Sequence, residues 1–385
     1  MDGSARPVYL DYQATTPVDP RVLAEMLPYF TAKFGNSSSI DHVYGADASD
    51  AVELARQRVA TLVGASSEDV IFTSGATEAN NLAILGLADG RTDDAGHIVT
   101  VKTEHRAVLD PCLLLEKKGW TVTRLAVDHT GLVDPNDVRR ALRRDTRLVS
   151  IMAANNEIGT LAPLREIAQF TGEAGVPLQS DATQAAGYLS MDAADLGVDL
   201  VSVSAHKMYG PKGVGALVVR GRQLRRGLAT RQLGGGHERG LRSGTLNVPC
   251  IVGLGAASEL AKVEMTSISS RLRRMRERLW SLLEESVPGI ELNGHQHDRL
   301  PHNLNVYVPA VNSRALLVQL KGDLAMSTGA ACGSAKAEPS HVIASLGLGE
   351  NRGRCSVRMS LGRPTSEEDI EFAAVRFAEV VALLR

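Results

Sequence analysis

The chain has 385 residues, of which 44% are hydrophobic, and a formal net charge of −2. This length exceeds the usual size of one hydrophobic core, so we expect two domains. The near-neutral charge, with both signs mixed along the chain, gives no electrostatic reason for direct binding to nucleic acid or to an anionic membrane.

Two further features bear on location and redox state. Residues 1–7 lack the apolar core of a signal peptide, and no apolar run approaches the roughly 20 residues that span a bilayer, so we expect a cytoplasmic protein. The cysteines are widely spaced and form neither a CxxC motif nor a Cys/His cluster; they are Cys112, Cys250, Cys332 and Cys355. They predict free thiols rather than disulfides or a zinc site.

Strands and helices alternate over the first two thirds of the chain. Helices are predicted at residues 46–63, 79–87 and 164–174, and strands at residues 69–73, 98–101, 121–125, 148–152, 177–180, 198–203 and 214–220. Strands separated by helices indicate an α/β fold with a mostly parallel sheet. Ligands of such sheets bind beyond the carboxyl ends of the strands.

The last third of the chain has a different pattern. Two helices, at residues 252–265 and 270–286, are predicted to lead into a second lobe. That lobe is predicted to hold strands near residues 303–308 and 357–361 and helices at residues 313–320 and 367–384.

Lys207 follows the strand predicted at residues 198–203, just before the break at Gly210-Pro211. A half-buried lysine at a strand end can lose its proton and act as a nucleophile or Schiff-base former, because desolvation disfavours the ammonium form. A solvated loop lysine is the alternative interpretation, and the position alone would favour it.

The stretch from Ser74 to Glu78, SGATE, joins a predicted strand directly to a predicted helix. Backbone N–H groups and hydroxyls at such a helix start bind phosphate well. The stretch is neither a Walker loop nor GxGxxG, so it predicts a phosphate without predicting a nucleotide. An ordinary capped helix is the alternative.

Several polar side chains follow the predicted strands and should therefore lie close together: His105, Asn156, Asp181, Gln184, His206 and Lys207. Pyridoxal 5′-phosphate requires an amine for its aldehyde, a carboxylate for its pyridine nitrogen, a phosphate cradle and a flat ring against its own ring.

In the second lobe, Cys332 lies among small residues, which favours an exposed, movable thiol over a buried small hydrophobe.

Eight stretches resemble motifs of the cysteine desulfurases of the NifS/IscS type, within the class V aminotransferase family of PLP fold type I. In chain order they are SGATEANN, TEHRAV, NNEIG, DATQ, SAHKMYGPKG, GGGHERGLRSGT, STGAACGSA and RMSLGR. The resemblance implies a large PLP-binding domain of residues 17–261, with a mostly parallel seven-stranded sheet flanked by helices. It further implies a smaller α+β domain of residues 1–16 and 262–385, and a homodimer.

The resemblance also implies a role for each site residue. Lys207 would carry the cofactor as a Schiff base, Asp181 would pair with the pyridine nitrogen, Gln184 would contact the ring hydroxyl and His105 would stack on the ring. The phosphate would be held by Ala76, Thr77, Ser204 and His206, joined by Thr245 from the neighbouring subunit. Asn156 and Arg358 would bind the substrate carboxylate, with Asn36 close by.

L-Cysteine would then be the substrate, and Cys332 would take its sulfur as a persulfide and leave alanine, with His105 accepting the thiol proton. Transient iron–sulfur ligation by Cys332 stays open, and no other metal site is expected. The sulfur would pass to an acceptor protein of unknown identity, for iron–sulfur cluster assembly, tRNA thiolation or DNA phosphorothioation. The rivals are another class V member, such as a selenocysteine lyase or an aminotransferase, and a catalytically silent scaffold.

Overall fold

The computed structural model describes residues 6–90, 95–329 and 340–385. Its helices are α1 (Pro20–Met26), α2 (Val43–Leu62), α3 (Ala76–Asp89), α4 (Arg106–Lys117), α5 (Pro135–Ala141), α6 (Leu164–Glu173), α7 (Ala193–Leu196), α8 (Arg222–Arg226), α9 (Val248–Ser286), α10 (Ser313–Leu320), α11 (His341–Ser345) and α12 (Glu367–Leu384). Its strands are β1 (Val8–Tyr9), β2 (Val70–Thr73), β3 (His97–Val101), β4 (Thr121–Leu125), β5 (Thr146–Ser150), β6 (Leu178–Asp181), β7 (Leu200–Ser204), β8 (Gly215–Val219), β9 (Glu291–Leu292), β10 (Asn303–Tyr307), β11 (Leu324–Ala325) and β12 (Ser356–Ser360).

A seven-stranded sheet forms the centre of the larger part, with the strand order β2-β8-β7-β6-β5-β3-β4. Strand β8 runs antiparallel to both of its neighbours, and the other pairs in this sheet are parallel. Every residue of β2, β3, β7 and β8 is buried, as expected where helices cover both faces of a sheet. The predicted α/β fold with a mostly parallel seven-stranded sheet is confirmed.

A second packing centre surrounds the antiparallel sheet β12-β10-β9. Its buried residues come from α9, α10, α12 and the two longer strands, and include Leu279, Leu316, Val306, Met359 and Phe377. Leu10, from the N-terminal segment, packs in the same cluster. The division into residues 17–261 and residues 1–16 with 262–385 stays a prediction.

Helix α9 joins the two packing centres as one continuous helix of 39 residues. The prediction of two helices broken near residues 266–269 was wrong, because Thr-Ser-Ile-Ser contains neither glycine nor proline and its side chains are tolerated inside a helix. At about 1.5 Å per residue the helix spans roughly 58 Å. Its first half packs closely on α2: a Cβ placed on Gly255 would lie 2.6 Å from Ala55 Cα.

We find no helix among the described residues with the length and apolar character needed to cross a membrane.

Candidate active site

A cavity of about 980 Å³ lies at the edge of the large sheet where β3, β5, β6 and β7 end. Residues predicted from the sequence contribute to its lining: Ala76, Thr77, His105, Asn156, Asp181, Gln184, Ser204, His206, Lys207 and Arg358. The parallel strands bring them together, because their carboxyl ends meet at one edge. Arg358 arrives separately, from β12 of the second sheet.

Asn36 does not line this cavity, and neither does Thr245, which was predicted to reach the site from the neighbouring subunit. Asn36 is exposed, and its Oδ1 accepts a hydrogen bond from the Ser38 backbone N–H at 3.0 Å, as in an Asx turn. Thr245 is also exposed and does not contribute to the lining formed by the described residues. Cys332 lies outside the described residues.

Lys207 ends a single turn of 3-10 helix that directly follows β7. Its Nζ donates a hydrogen bond to the Ala14 carbonyl at 2.8 Å and another to the Gln13 carbonyl. Burial lowers the pKa of this amine from 10.5 to about 8, and the nearby Arg358 guanidinium acts in the same direction. Near neutral pH, Lys207 therefore has a much larger neutral fraction than an ordinary lysine.

Asp181 is the last residue of β6, and both of its carboxylate oxygens are held. Oδ1 accepts from the Thr183 backbone N–H at 2.9 Å, and Oδ2 accepts from the Asn80 side-chain amide at 2.7 Å. The carboxylate lines the cavity in a fixed orientation and can take a further donor there.

His105 caps α4, because its Nδ1 accepts a hydrogen bond from the Ala107 backbone N–H at 3.0 Å. Burial lowers the pKa of the ring, so the neutral form is favoured. With Nδ1 accepting, the proton of the neutral ring is on Nε2. In this geometry Nε2 donates a hydrogen bond, and the neutral ring takes up a proton at Nδ1 only by giving up the bond to Ala107.

The predicted phosphate cradle is the turn between β2 and α3. Gly75 precedes α3 at φ +150°, and it has no side chain with which to cap the first N–H groups of that helix. Glu78 fixes the turn: it accepts from the Ser74 backbone N–H at 2.7 Å and from Arg242 Nε at 2.9 Å. The open helix start therefore keeps its donors for an anion.

His206 lies beside this cradle and is held by the N-terminal segment. Its Nδ1 pairs with the Thr15 hydroxyl at 3.1 Å. Burial lowers the pKa of the ring to about 4, and the charges of Lys207 and Lys212 add to the effect. The ring is therefore neutral at physiological pH and can hydrogen-bond without adding charge.

Arg358 is buried on β12 and aimed at the cavity by two contacts. Nη2 donates to Asp11 Oδ1 at 2.7 Å, and Nη1 donates to the Asn156 carbonyl at 2.7 Å. Its Nε is buried without a partner among the described residues.

Residues 8–372 match the Aminotransferase class-V family. The cysteine desulfurase IscS of Anaeromyxobacter dehalogenans (strain 2CP-C) is 50% identical over 379 residues, which are 98% of this chain and 93% of that protein. The chain belongs to the cysteine desulfurases of the class V aminotransferase family.

Two solved structures agree with this membership. A NifS-like protein superposes with a TM-score of 0.91 at 34% identity, covering 99% of this chain and 100% of that one. SspA in complex with cysteine superposes with a TM-score of 0.83 at 36% identity, covering 93% and 99%. The family resemblance and the fold implied by the motifs are confirmed.

The cavity of this desulfurase fits pyridoxal 5′-phosphate. Three buried polar atoms of residues that line it have no partner among the described residues: Gln13 Nε2, Thr183 Oγ1 and Arg358 Nε. Buried polar groups are usually satisfied, so these atoms indicate a polar ligand. The uncapped helix start matches the phosphate of this cofactor, and the lysine with a lowered pKa matches its aldehyde. The fixed carboxylate matches its ring nitrogen.

Some residues of the desulfurase site were missed from the sequence. Asp11 holds Arg358, Asn80 holds Asp181, and Gln13 accepts from Lys207 through its backbone carbonyl. Asn80 follows Ala76 by four residues on α3 and therefore shares its face, but the predicted helix began only at residue 79. Gln13 acts through its backbone, for which a sequence carries no signal.

Proposed function

We propose that this desulfurase removes the sulfur of L-cysteine, leaves it as a persulfide on Cys332 and releases L-alanine. The observation that supports the proposal most strongly is that Lys207 and Arg358 both line the cavity. A lysine with a pKa of about 8 suits an aldehyde cofactor and proton transfer. A buried guanidinium suits the carboxylate of an amino acid.

Pyridoxal 5′-phosphate would supply an electron sink that weakens the bonds at the α- and β-carbons of the substrate. We propose that Lys207 holds its aldehyde carbon, Asp181 its ring nitrogen and Gln184 its ring hydroxyl, with His105 against the ring. The phosphate would be held by Ala76, Thr77, Ser204, His206 and Thr245 of the partner subunit.

We propose that Arg358 and Asn156 orient the substrate carboxylate and that Lys207 Nζ accepts the α-proton. Asp11 keeps the Arg358 guanidinium aimed at the cavity through its 2.7 Å contact. His105 in its neutral form can donate a hydrogen bond through Nε2, and it takes up a proton only when Nδ1 gives up its bond with the Ala107 N–H. Asn36 is exposed in an Asx turn, so we give it no direct contact with the substrate.

The sulfur transfer balances without an external oxidant or reductant. The substrate C–S bond breaks, an S–S bond to Cys332 forms, and the thiol proton of Cys332 replaces sulfur at the β-carbon to give alanine. The other cysteines are less suited to this step. Burial raises the pKa of Cys112 to about 12 and also raises the pKa of Cys250 and of Cys355, and none of these three lines the cavity.

We further propose a homodimer and a separate protein as the sulfur acceptor. The segment from Leu27 to Tyr44 exposes six large apolar side chains: Leu27, Phe30, Phe34, Ile40, Val43 and Tyr44. Concentrated exposure of this kind is typical of a protein interface. A second copy seated there would cover these side chains.

The proposal is tested by measuring alanine release and cofactor absorbance in two variants. Cys332→Ser should keep the yellow absorbance of the bound cofactor and lose turnover, because only the sulfur acceptor is removed. Lys207→Ala should lose the absorbance maximum of the lysine-bound cofactor. Undiminished alanine release from Cys332→Ser would overturn the role of that cysteine. A colourless wild-type protein that binds no cofactor would favour the silent scaffold, and a keto acid product would favour an aminotransferase.

A further inference from the structure

Asn80 is completely buried and belongs to a chain of side-chain hydrogen bonds that ends at Asp181. Ser150 donates to Gln179 Oε1, Gln179 Nε2 donates to Asn80 Oδ1 at 2.8 Å, and Asn80 Nδ2 donates to Asp181 Oδ2 at 2.7 Å. Ser150 and Gln179 are also buried, at 1% and 0% exposure. Four side chains from α3, β5 and β6 therefore form one buried network beside the cavity.

The direction of this network is fixed by its carboxylate end. An ionised carboxylate only accepts hydrogen bonds, so Asn80 must turn its Nδ2 toward Asp181 and its Oδ1 toward Gln179. If the Asn80 amide were reversed, its oxygen would face a carboxylate oxygen and its nitrogen would face Gln179 Nε2. In a buried site each of these contacts would be costly, since neither group could turn to water.

The Asp181 carboxylate can accept a further hydrogen bond only from the side of the cavity. Thr183 fixes Oδ1 and Asn80 fixes Oδ2, so the carboxylate cannot rotate without breaking one of two short bonds. Of the four residues in the chain, Asn80 and Asp181 line the cavity.

We propose that Asn80 is a positioning residue, which holds the Asp181 carboxylate in the orientation that selects a cofactor ring with a basic nitrogen. The inference rests on the proposed function, in which Asp181 pairs with the pyridine nitrogen. Asn80 is given no contact with a reacting atom. Its effect acts through Asp181, and Gln179 and Ser150 in turn hold Asn80.

The test compares two ligands that differ at one ring atom. Apoprotein is titrated with pyridoxal 5′-phosphate and with 1-deazapyridoxal 5′-phosphate, in which carbon replaces the ring nitrogen, and the dissociation constants are measured. The wild-type protein should prefer the natural ligand. Asn80→Ala should reduce that preference roughly tenfold or more, the size expected when a hydrogen bond to a charged group is lost.

Two further variants make the result decisive. Asn81→Ala removes the adjacent asparagine, whose Nδ2 donates to the Thr77 carbonyl, and should leave the preference unchanged. Ser150→Ala loosens only the far end of the network and should reduce the preference by a smaller factor. If Asn80→Ala fails to fold, an unchanged preference in Ser150→Ala overturns the inference.

Equal weakening of both ligands by Asn80→Ala would mean that the residue only supports the fold, and it would overturn the inference while leaving the proposed function intact. A wild-type protein that binds both ligands equally would instead overturn the pairing of Asp181 with the ring nitrogen, and this inference with it.

Discussion

Lys207 reacts with an aldehyde only when its amine is neutral, and burial decides the pH at which this happens. The amine has a pKa of about 8 in the fold, against 10.5 for an ordinary lysine, so the neutral fraction rises steeply around pH 8. The folded state binds fewer protons than the unfolded state between these two values. The contribution of Lys207 therefore makes the protein more stable as pH rises through that window.

We expect the rate at which apoprotein captures pyridoxal 5′-phosphate to rise with pH and to level off above about 8. Stopped-flow absorbance across pH 6 to 10.5 measures it, with free lysine as the reference, whose rate should still rise at the upper end. A rate in the protein that follows free lysine would mean that burial does not set the reactivity of Lys207.

Arg358→Lys should raise KM for L-cysteine and lower kcat/KM by roughly 10- to 100-fold, the range expected for a lost hydrogen bond to a charged group. Lysine keeps the charge but loses the fork that contacts both Asp11 and Asn156. Arg354→Lys, at an exposed position close by in sequence, is the matched control and should behave as wild type. A normal KM in Arg358→Lys would remove this arginine from substrate binding.

At the residue scale, the sequence predicted which side chains meet but not how they are held. His105, Asp181 and Lys207 were predictable, because parallel strands end at one edge and each residue follows such a strand. The amide orientation of Asn80 depends on three other buried groups from distant positions. The separation of Asn36 from the cavity depends on the path of an exposed loop, which local patterns do not specify.

At the element scale, Glu238 ties the glycine-rich loop from Gly234 to Thr245 to α2 by a buried ion pair and to β2 by a hydrogen bond. Glu238 accepts from both terminal nitrogens of Arg56 at 2.8 Å and from the Phe72 backbone N–H at 2.7 Å. Glu238 and Arg239 have φ values of 48° and 58°, which residues other than glycine rarely adopt. Glu238 therefore holds a strained turn against α2 and β2.

Glu238→Gln should lower the free energy of unfolding by about 3–5 kcal/mol, because the buried Arg56 guanidinium then loses its buried counter-charge and keeps only the exposed Glu53. Chemical denaturation measures this value. Glu53 contacts the same arginine from the surface, with its side chain 51% exposed, and Glu53→Gln should cost less than about 1 kcal/mol. Similar losses from the two variants would contradict the account of the loop.

Helices and strands were predicted well where a periodic hydrophobic pattern continued over many residues. The predicted bounds of α10 and α12 agree with the structure, and the main strands agree to within two residues. Helix α9 was predicted as two helices because four small or β-branched residues interrupt its apolar pattern. Packing against α2 at one end and within the second cluster at the other keeps it continuous.

At the scale of the whole molecule, the exposed apolar segment from Leu27 to Tyr44 is the surface on which the proposed homodimer would form. Ile40 is 75% exposed, and Ile40→Lys should shift the protein from dimer toward monomer in sedimentation velocity. Leu383→Lys is the control, at a 73% exposed position on α12, and should leave the dimer intact. Equal dimerisation of both variants would place the interface elsewhere.

In the proposed reaction, sulfur from L-cysteine reaches Cys332. The most direct measurement is mass spectrometry of the peptide carrying Cys332, after incubation of the holoenzyme with L-cysteine, removal of reductant and alkylation, with alanine quantified in the same sample. We expect one added sulfur on Cys332, matched in amount by alanine. Alanine formed while Cys332 carries no sulfur, or sulfur found instead on Cys112, Cys250 or Cys355, would contradict the account.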